Sequence, residues 1–121
     1  MTTPTLHYDE MSDTLYISFT PGEPATGIEL NPHILLRINA TERRAVGLTL
    51  FDYSLLAQPT DVGPRSVPLI GLTQLSLELR ELALEIIQHP PVSNFLMLSA
   101  YAPSASEIIL MTSLHPLPAV A

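Results

Sequence analysis

His7 and Asp9 are two residues apart, which puts both on one face of an extended strand, and His33 is a third residue that could join them. Imidazoles and carboxylates that converge are ligands for a divalent metal. A metal centre needs three or four such ligands, and no local spacing of the His-x-x-x-His kind assembles them here. The competing reading is a solvated strand face with Asp9 capping a turn. Nucleophilic catalysis would set a Ser or Thr beside a His and an acid. Serines are plentiful, but no Gly-x-Ser-x-Gly elbow occurs, and His89 and His115 each precede a proline. Carboxylates cluster at Asp9, Glu10 and Asp13 and again at Glu78, Glu81 and Glu85, in positions that read as exposed rather than shifted for acid–base work. Gly71 alone precedes a helix, and the chain has no lysine for a Gly-Lys-Ser/Thr phosphate loop. Tyr8, Tyr16, Phe51 and Tyr53 could form an aromatic patch for a ligand, although such residues more often pack across strands. No catalytic set and no cofactor is expected.

The elements that must position these residues follow from periodicity. Leu15, Ile17 and Phe19 alternate with Thr14, Tyr16 and Ser18; Ile34, Leu36 and Ile38 with Leu35, Arg37 and Asn39; Val46, Leu48 and Leu50 with Gly47, Thr49 and Phe51. One apolar and one mixed face per strand implies an antiparallel sheet covered on one side. The turn Asp9–Asp13, the connector Ala40–Arg44 and a weaker extended segment around Ile28–Leu30 complete a four- or five-stranded meander. The stretch 57–71 carries Pro59, Gly63, Pro64 and Pro68 and reads as a linker. An amphipathic helix is expected from about Leu72 or Thr73 to Gln88. Its apolar stripe is Leu72, Leu75, Leu79, Leu82, Ala83, Ile86 and Ile87, and its polar face is Glu78, Glu81, Glu85 and Gln88. His89-Pro90-Pro91 stops it.

Asn94–Tyr101 and Glu107–Ser113 then read as a C-terminal hairpin buried on both faces. The Ser104/Glu107 spacing leaves a helix open for the second of these segments. Whether the two β segments share one continuous sheet also stays open. The expected architecture is a single α+β domain over 1–121: a meander within 5–56, a linker over 57–71, and a helix with a hairpin over 72–121. Pro116 to Ala121 is expected to fray.

Composition narrows the function classes. The chain is 46% hydrophobic and only 14% charged, against about 25% charged in an average soluble domain. Apolar surface is therefore expected to remain once the core is filled, and a homodimer is the simplest way to cover it. Leu77, Leu84, Phe95 and Met97 are the interface candidates. Twelve carboxylates against five arginines give a net charge of −7, which disfavours nucleic acid and anionic membranes as partners. The lack of cysteine removes disulfides and thiolate chemistry. No apolar run approaches the roughly 20 residues that span a bilayer, and the N-terminus has no signal-peptide pattern. A cytoplasmic protein is expected.

Tyr8-Asp9, Asp13-Thr14-Leu15-Tyr16-Ile17, Ile34-Leu35-Leu36 and Val46–Ser54 occur in that order. Together they resemble the small bacterial YuzE-like family, domain of unknown function 2283, over about residues 5–56. Arg37-Ile38-Asn39 departs from the family's acidic strand end, and Thr49 stands where Glu is frequent. The resemblance implies an α+β fold and supplies no catalytic residues. Relatives encoded beside small toxin-like proteins imply a binding role.

Three functional expectations follow. The first is a non-enzymatic homo-oligomeric or protein-binding module. The second is a small-molecule or metal-binding protein using His7, Asp9 and His33 or the aromatics. The third is an acidic, antitoxin-like partner of a small basic protein.

Overall fold

The computed structural model describes residues 3–115; Pro116 to Ala121 lie outside the described residues. Strands β1 (Thr5–Asp9), β2 (Thr14–Ser18), β3 (Thr26–Asn31), β4 (Ile34–Asn39) and β5 (Arg44–Phe51) form an antiparallel sheet in the order β1-β2-β5-β4-β3. Strands β3, β4 and β5 make a sequential meander, and the β1–β2 hairpin adds to the free edge of β5. The period-two residues point as expected: Leu15, Ile17, Ile34, Leu36, Ile38, Leu48 and Leu50 are buried in one cluster.

The pattern fails at one residue, for a local reason. Arg37 pairs with Gly47 but Ile38 pairs with Ala45, so Val46 is the extra residue of a β-bulge. The bulge reverses the alternation: Ala45 joins the core cluster, and Val46 is buried outside it. The Val46 carbonyl accepts from Phe19 N at 2.8 Å and Thr20 N at 3.3 Å, so the chain leaving β2 is tied to the bulge.

A short helix, α1 (Tyr53–Ala57), follows β5. The stretch 57–71 is more than a linker, because it supplies β6 (Ser66–Pro68) to a second sheet. That sheet adds β7 (Leu96–Ser104) and β8 (Glu107–Leu114) in the order β6-β8-β7. The two β segments are thus separate sheets. Glu107–Leu114 is strand rather than helix, and Ser104 pairs with Glu107 across the hairpin turn instead of capping.

The expected helix is split. Ile70–Gln74 is a 3-10 turn, Leu75 is extended, and α2 runs over Leu77–Ile87. The break comes from Ser76, whose side chain accepts from Leu79 N at 3.2 Å as the N-cap. Leu82, Ala83, Ile86 and Ile87 of α2 join the same buried cluster as both sheets. Asn31 Nδ2 donates to Pro68 O at 3.0 Å, which joins β3 to β6. No helix among the described residues is long and apolar enough to cross a membrane.

Two substitutions test this assembly by chemical denaturation. Ser76→Ala should cost about 1 kcal/mol, the value of a lost N-cap. Gly71→Ala should cost about 1–3 kcal/mol by overpacking, because an added Cβ would run into the Glu29 backbone carbonyl.

Candidate functional site

The residues that set this chain apart as a sequence come together at one corner. Tyr8 is the penultimate residue of β1, Asp13 closes the β1–β2 turn, and Ser54 lies in the first turn of α1. The Tyr8 hydroxyl donates to Asp13 Oδ1 at 2.6 Å. Ser54 donates to the same carboxylate through its amide, 3.1 Å from Oδ1, and through its hydroxyl to Oδ2. Tyr53 N donates to the Asp13 carbonyl at 2.9 Å, and the Tyr8 and Tyr53 rings meet edge-on with centroids 5.8 Å apart. Both corner residues, Asp13 (φ 52°) and Asp52 (φ 54°), adopt the left-handed conformation that aspartate tolerates better than most residues.

The electrostatics follow from these contacts. The Ser54 hydroxyl, then Tyr8, hold the Asp13 carboxyl below its ordinary value, while the same bond raises the Tyr8 phenol. A carboxylate whose acceptor sites are taken by three donors is a weak base. It also holds the Ser54 proton in a bond that has no imidazole behind it. The corner is a staple between the first turn and the end of the sheet.

His7, Asp9 and His33 each have separate work. His7 stacks on Tyr16 of the neighbouring strand, with centroids 6.1 Å apart. Asp9 caps its own turn, accepting from Met11 N at 3.2 Å and Ser12 Oγ at 2.7 Å. His33 Nδ1 lies 2.9 Å from Asp52 Oδ2, so its N–H donates across the end of the sheet. Among the described residues no group of three or more His, Asp or Glu side chains is placed to hold a metal ion. The aromatics divide as well: Tyr8 packs on Tyr53 and Tyr16 on His7, while Phe51 is exposed at the strand end.

The interface candidates separate into two pairs. Leu84 and Phe95 are half-buried against the core, and the Phe95 ring lies 5.9 Å from that of Phe19. Leu77 (65% exposed) and Met97 (42%) face solvent. Leu77 is the first residue of α2, before the helix turns onto the core.

Two concavities carry polar groups. The smaller, about 150 Å³, lies beside Arg43, Glu85 and His89. Its charges are already spent: Arg43 Nη2 donates to Glu85 Oε2 at 2.8 Å, and His89 Nδ1 donates to the Glu85 carbonyl at 2.7 Å. The larger, about 370 Å³, is bounded by Tyr53 and Leu56 of α1, Pro59 and Arg65 of the following loop, and Leu114 and His115 at the end of β8. Arg65 Nε is buried without a hydrogen-bond partner among the described residues. The sequence offered one signal for this site, a lone cation in a proline- and glycine-rich stretch. Two of its neighbours, Leu114 and His115, lie some fifty residues away in sequence.

Residues 5–54 match a family described as "Protein of unknown function (DUF2283)", and the rest of the chain lies beyond that domain. No curated protein and no solved structure shows significant similarity to the chain.

The staple has a pH signature. The folded-state value of Asp13 is depressed, so its contribution is fully present above the unfolded value of about 3.9 and is lost as pH falls through the folded value. Asp13→Asn should therefore lower the melting temperature at neutral pH. That deficit should shrink as both proteins are melted at successively lower pH below about 4.

Proposed function

We propose that the protein is a non-enzymatic homo-oligomerisation module, in its simplest form a twofold dimer joined along β7. One observation carries this reading: β7 is the uncovered edge of its sheet and has no charged residue in any of its nine positions. Edge strands are normally protected by charge, proline or a bulge, because their free N–H and C=O groups invite another strand. Here Pro103 and a register shift between Tyr101 and Ser104 interrupt only the far end of the edge, which leaves Leu96–Tyr101 free to pair. On the other side of the hairpin, β6 covers only Met111–Ser113 of β8. The distal ribbon is therefore paired only with itself, and an isolated two-stranded ribbon is marginal in water.

Side-chain exposure supports the same surface. Tyr101 is 56% exposed and Ile108 71%, and both lie on this distal ribbon. Leu98, Leu110 and Leu114 instead reach the core. A second copy is the fitting occupant because an uncharged strand meets itself without opposing like charges. An antiparallel pairing centred near Ser99 and Ala100 puts small residues at the axis and extends two three-stranded sheets into one of six. The isologous contact closes the assembly at a dimer.

Analytical ultracentrifugation over micromolar concentrations tests this. The wild type should sediment as a dimer. The double substitution Met97→Lys with Tyr101→Lys should weaken association at least about tenfold while the circular dichroism is retained; tenfold corresponds to about 1.4 kcal/mol. A monomeric wild type, or a double variant that dimerises as well as the wild type, contradicts the reading.

A further inference from the structure

We infer that the cavity between α1, the loop ending at Arg65 and the end of β8 is a binding site for a small monocarboxylate with an apolar body. The volume, about 370 Å³, is in the range of small-ligand sites. Its walls are mostly apolar, through Leu56, Pro59 and Leu114, and no carboxylate lines it among the described residues. Every polar side chain on the wall, Arg65, Tyr53 and His115, can donate a hydrogen bond. Burial raises the Tyr53 phenol, which keeps its proton on the oxygen at neutral pH.

Arg65 is the decisive residue. In a chain with twelve acidic and five basic side chains, an arginine would be expected to find a carboxylate. Arg43 and Arg44 do so, with Glu85, Glu23 and Glu42. Arg80 Nε donates to the Leu72 carbonyl at 3.1 Å. Arg37 and Arg65 have neither kind of partner among the described residues, and the buried Nε of each is unsatisfied; Arg37 lies over Gly47 within the sheet, whereas Arg65 lines the cavity. Arg65 thus places a cation without an ion-pair partner on a wall that holds no carboxylate among the described residues, and an anionic ligand group would supply the missing charge. A planar carboxylate fits the guanidinium fork and leaves the rest of the ligand to the apolar walls. Free phosphate has no apolar portion to fill those walls. No residue of β7 lines this site, so it does not rest on the dimer reading.

The test uses the full chain, with octanoate as the probe and octanol and inorganic phosphate as controls. Binding is followed by calorimetry and by amide shifts at residues 53–65 and 114–115. Octanoate should bind saturably and at least about tenfold more tightly than octanol, as expected when a charge-assisted hydrogen bond is added to the same apolar contact. Phosphate should bind far more weakly than octanoate. Arg65→Met should remove the preference for octanoate over octanol, and Arg65→Lys should retain part of it. Three results would overturn the site: no saturable octanoate shifts at these residues, equal affinity for octanol or phosphate, or undiminished octanoate binding by Arg65→Met. If Arg65→Met fails to fold, the wild-type comparison of octanoate with octanol decides alone.

Discussion

Strand β5 is buried along Ala45–Leu50, and a strand in that position must have both hydrogen-bonding edges and both faces occupied. Most of the fold is a solution to this constraint. The β4 hairpin supplies one edge, while the other accepts β2 from the separate β1–β2 hairpin, which explains the strand order. On the face opposite the core, space is so limited that Gly47 lies under the Arg37 guanidinium, leaving no room for a side chain. The bulge at Val46 lets the strand bend without losing that cover, and its carbonyl anchors the chain as it leaves β2.

The Tyr8–Asp13–Ser54 corner does the same job at the far end of β5. A strand that turns directly into a five-residue helix needs its exit fixed, and Asp13 fixes it from the opposite hairpin with side-chain and backbone acceptors together. At the near end Arg44 reaches Glu42 at 2.7 Å and Glu23 at 2.5 Å, binding the β2–β3 connection to the start of the strand. That bond, against the opposing effect of burial, keeps the Glu23 carboxyl below its ordinary value. Residues that make the sequence recognisable, Tyr8, Asp13 and Ser54, thus hold the far end of its central strand, and Arg44, outside that pattern, holds the near end.

What could be read from the chain follows from how local each signal is. Alternation in β2 and β4, the helix stop at His89-Pro90-Pro91 and the turn-capping role of Asp9 depend on near neighbours and were legible. The Val46 bulge depends on which strand lies beside β5, and alternation alone assigns Val46 inward. Strand β6 is three residues long and includes Pro68, so only its pairing with β8 makes it a strand. The helix stripe from Leu72 was real as a set of core residues, but the Ser76 cap divides it into two elements. Leu84 and Phe95 looked like spare apolar residues because their partners, the core and Phe19, are distant in sequence. Arg65 showed only as a lone cation in a proline- and glycine-rich stretch, since a cavity formed by residues 53–65 and 114–115 has no local period.

The low charge of the chain is explained by where its apolar residues end up. The sheet, α2 and the root of the last hairpin absorb most of them into one cluster. Of the remainder, Leu6, Met11, Val62, Ile70 and Leu77 lie elsewhere on the surface, which is unremarkable on any protein. Met97, Tyr101 and Ile108 fall together on the distal β7–β8 ribbon beside its uncharged edge, and a further apolar wall lines the Arg65 cavity. Both features lie largely or wholly beyond residue 54, where the family match ends, whereas the matched region spends its polar residues on holding β5. The N-terminal sheet directs most of its polar contacts at holding β5, with Glu23 Oε2 and Arg37 Nε buried without partners among the described residues. The C-terminal half adds the uncharged edge of β7 and the Arg65 cavity. Surfaces of this last kind are where a folded chain can still gain free energy by binding.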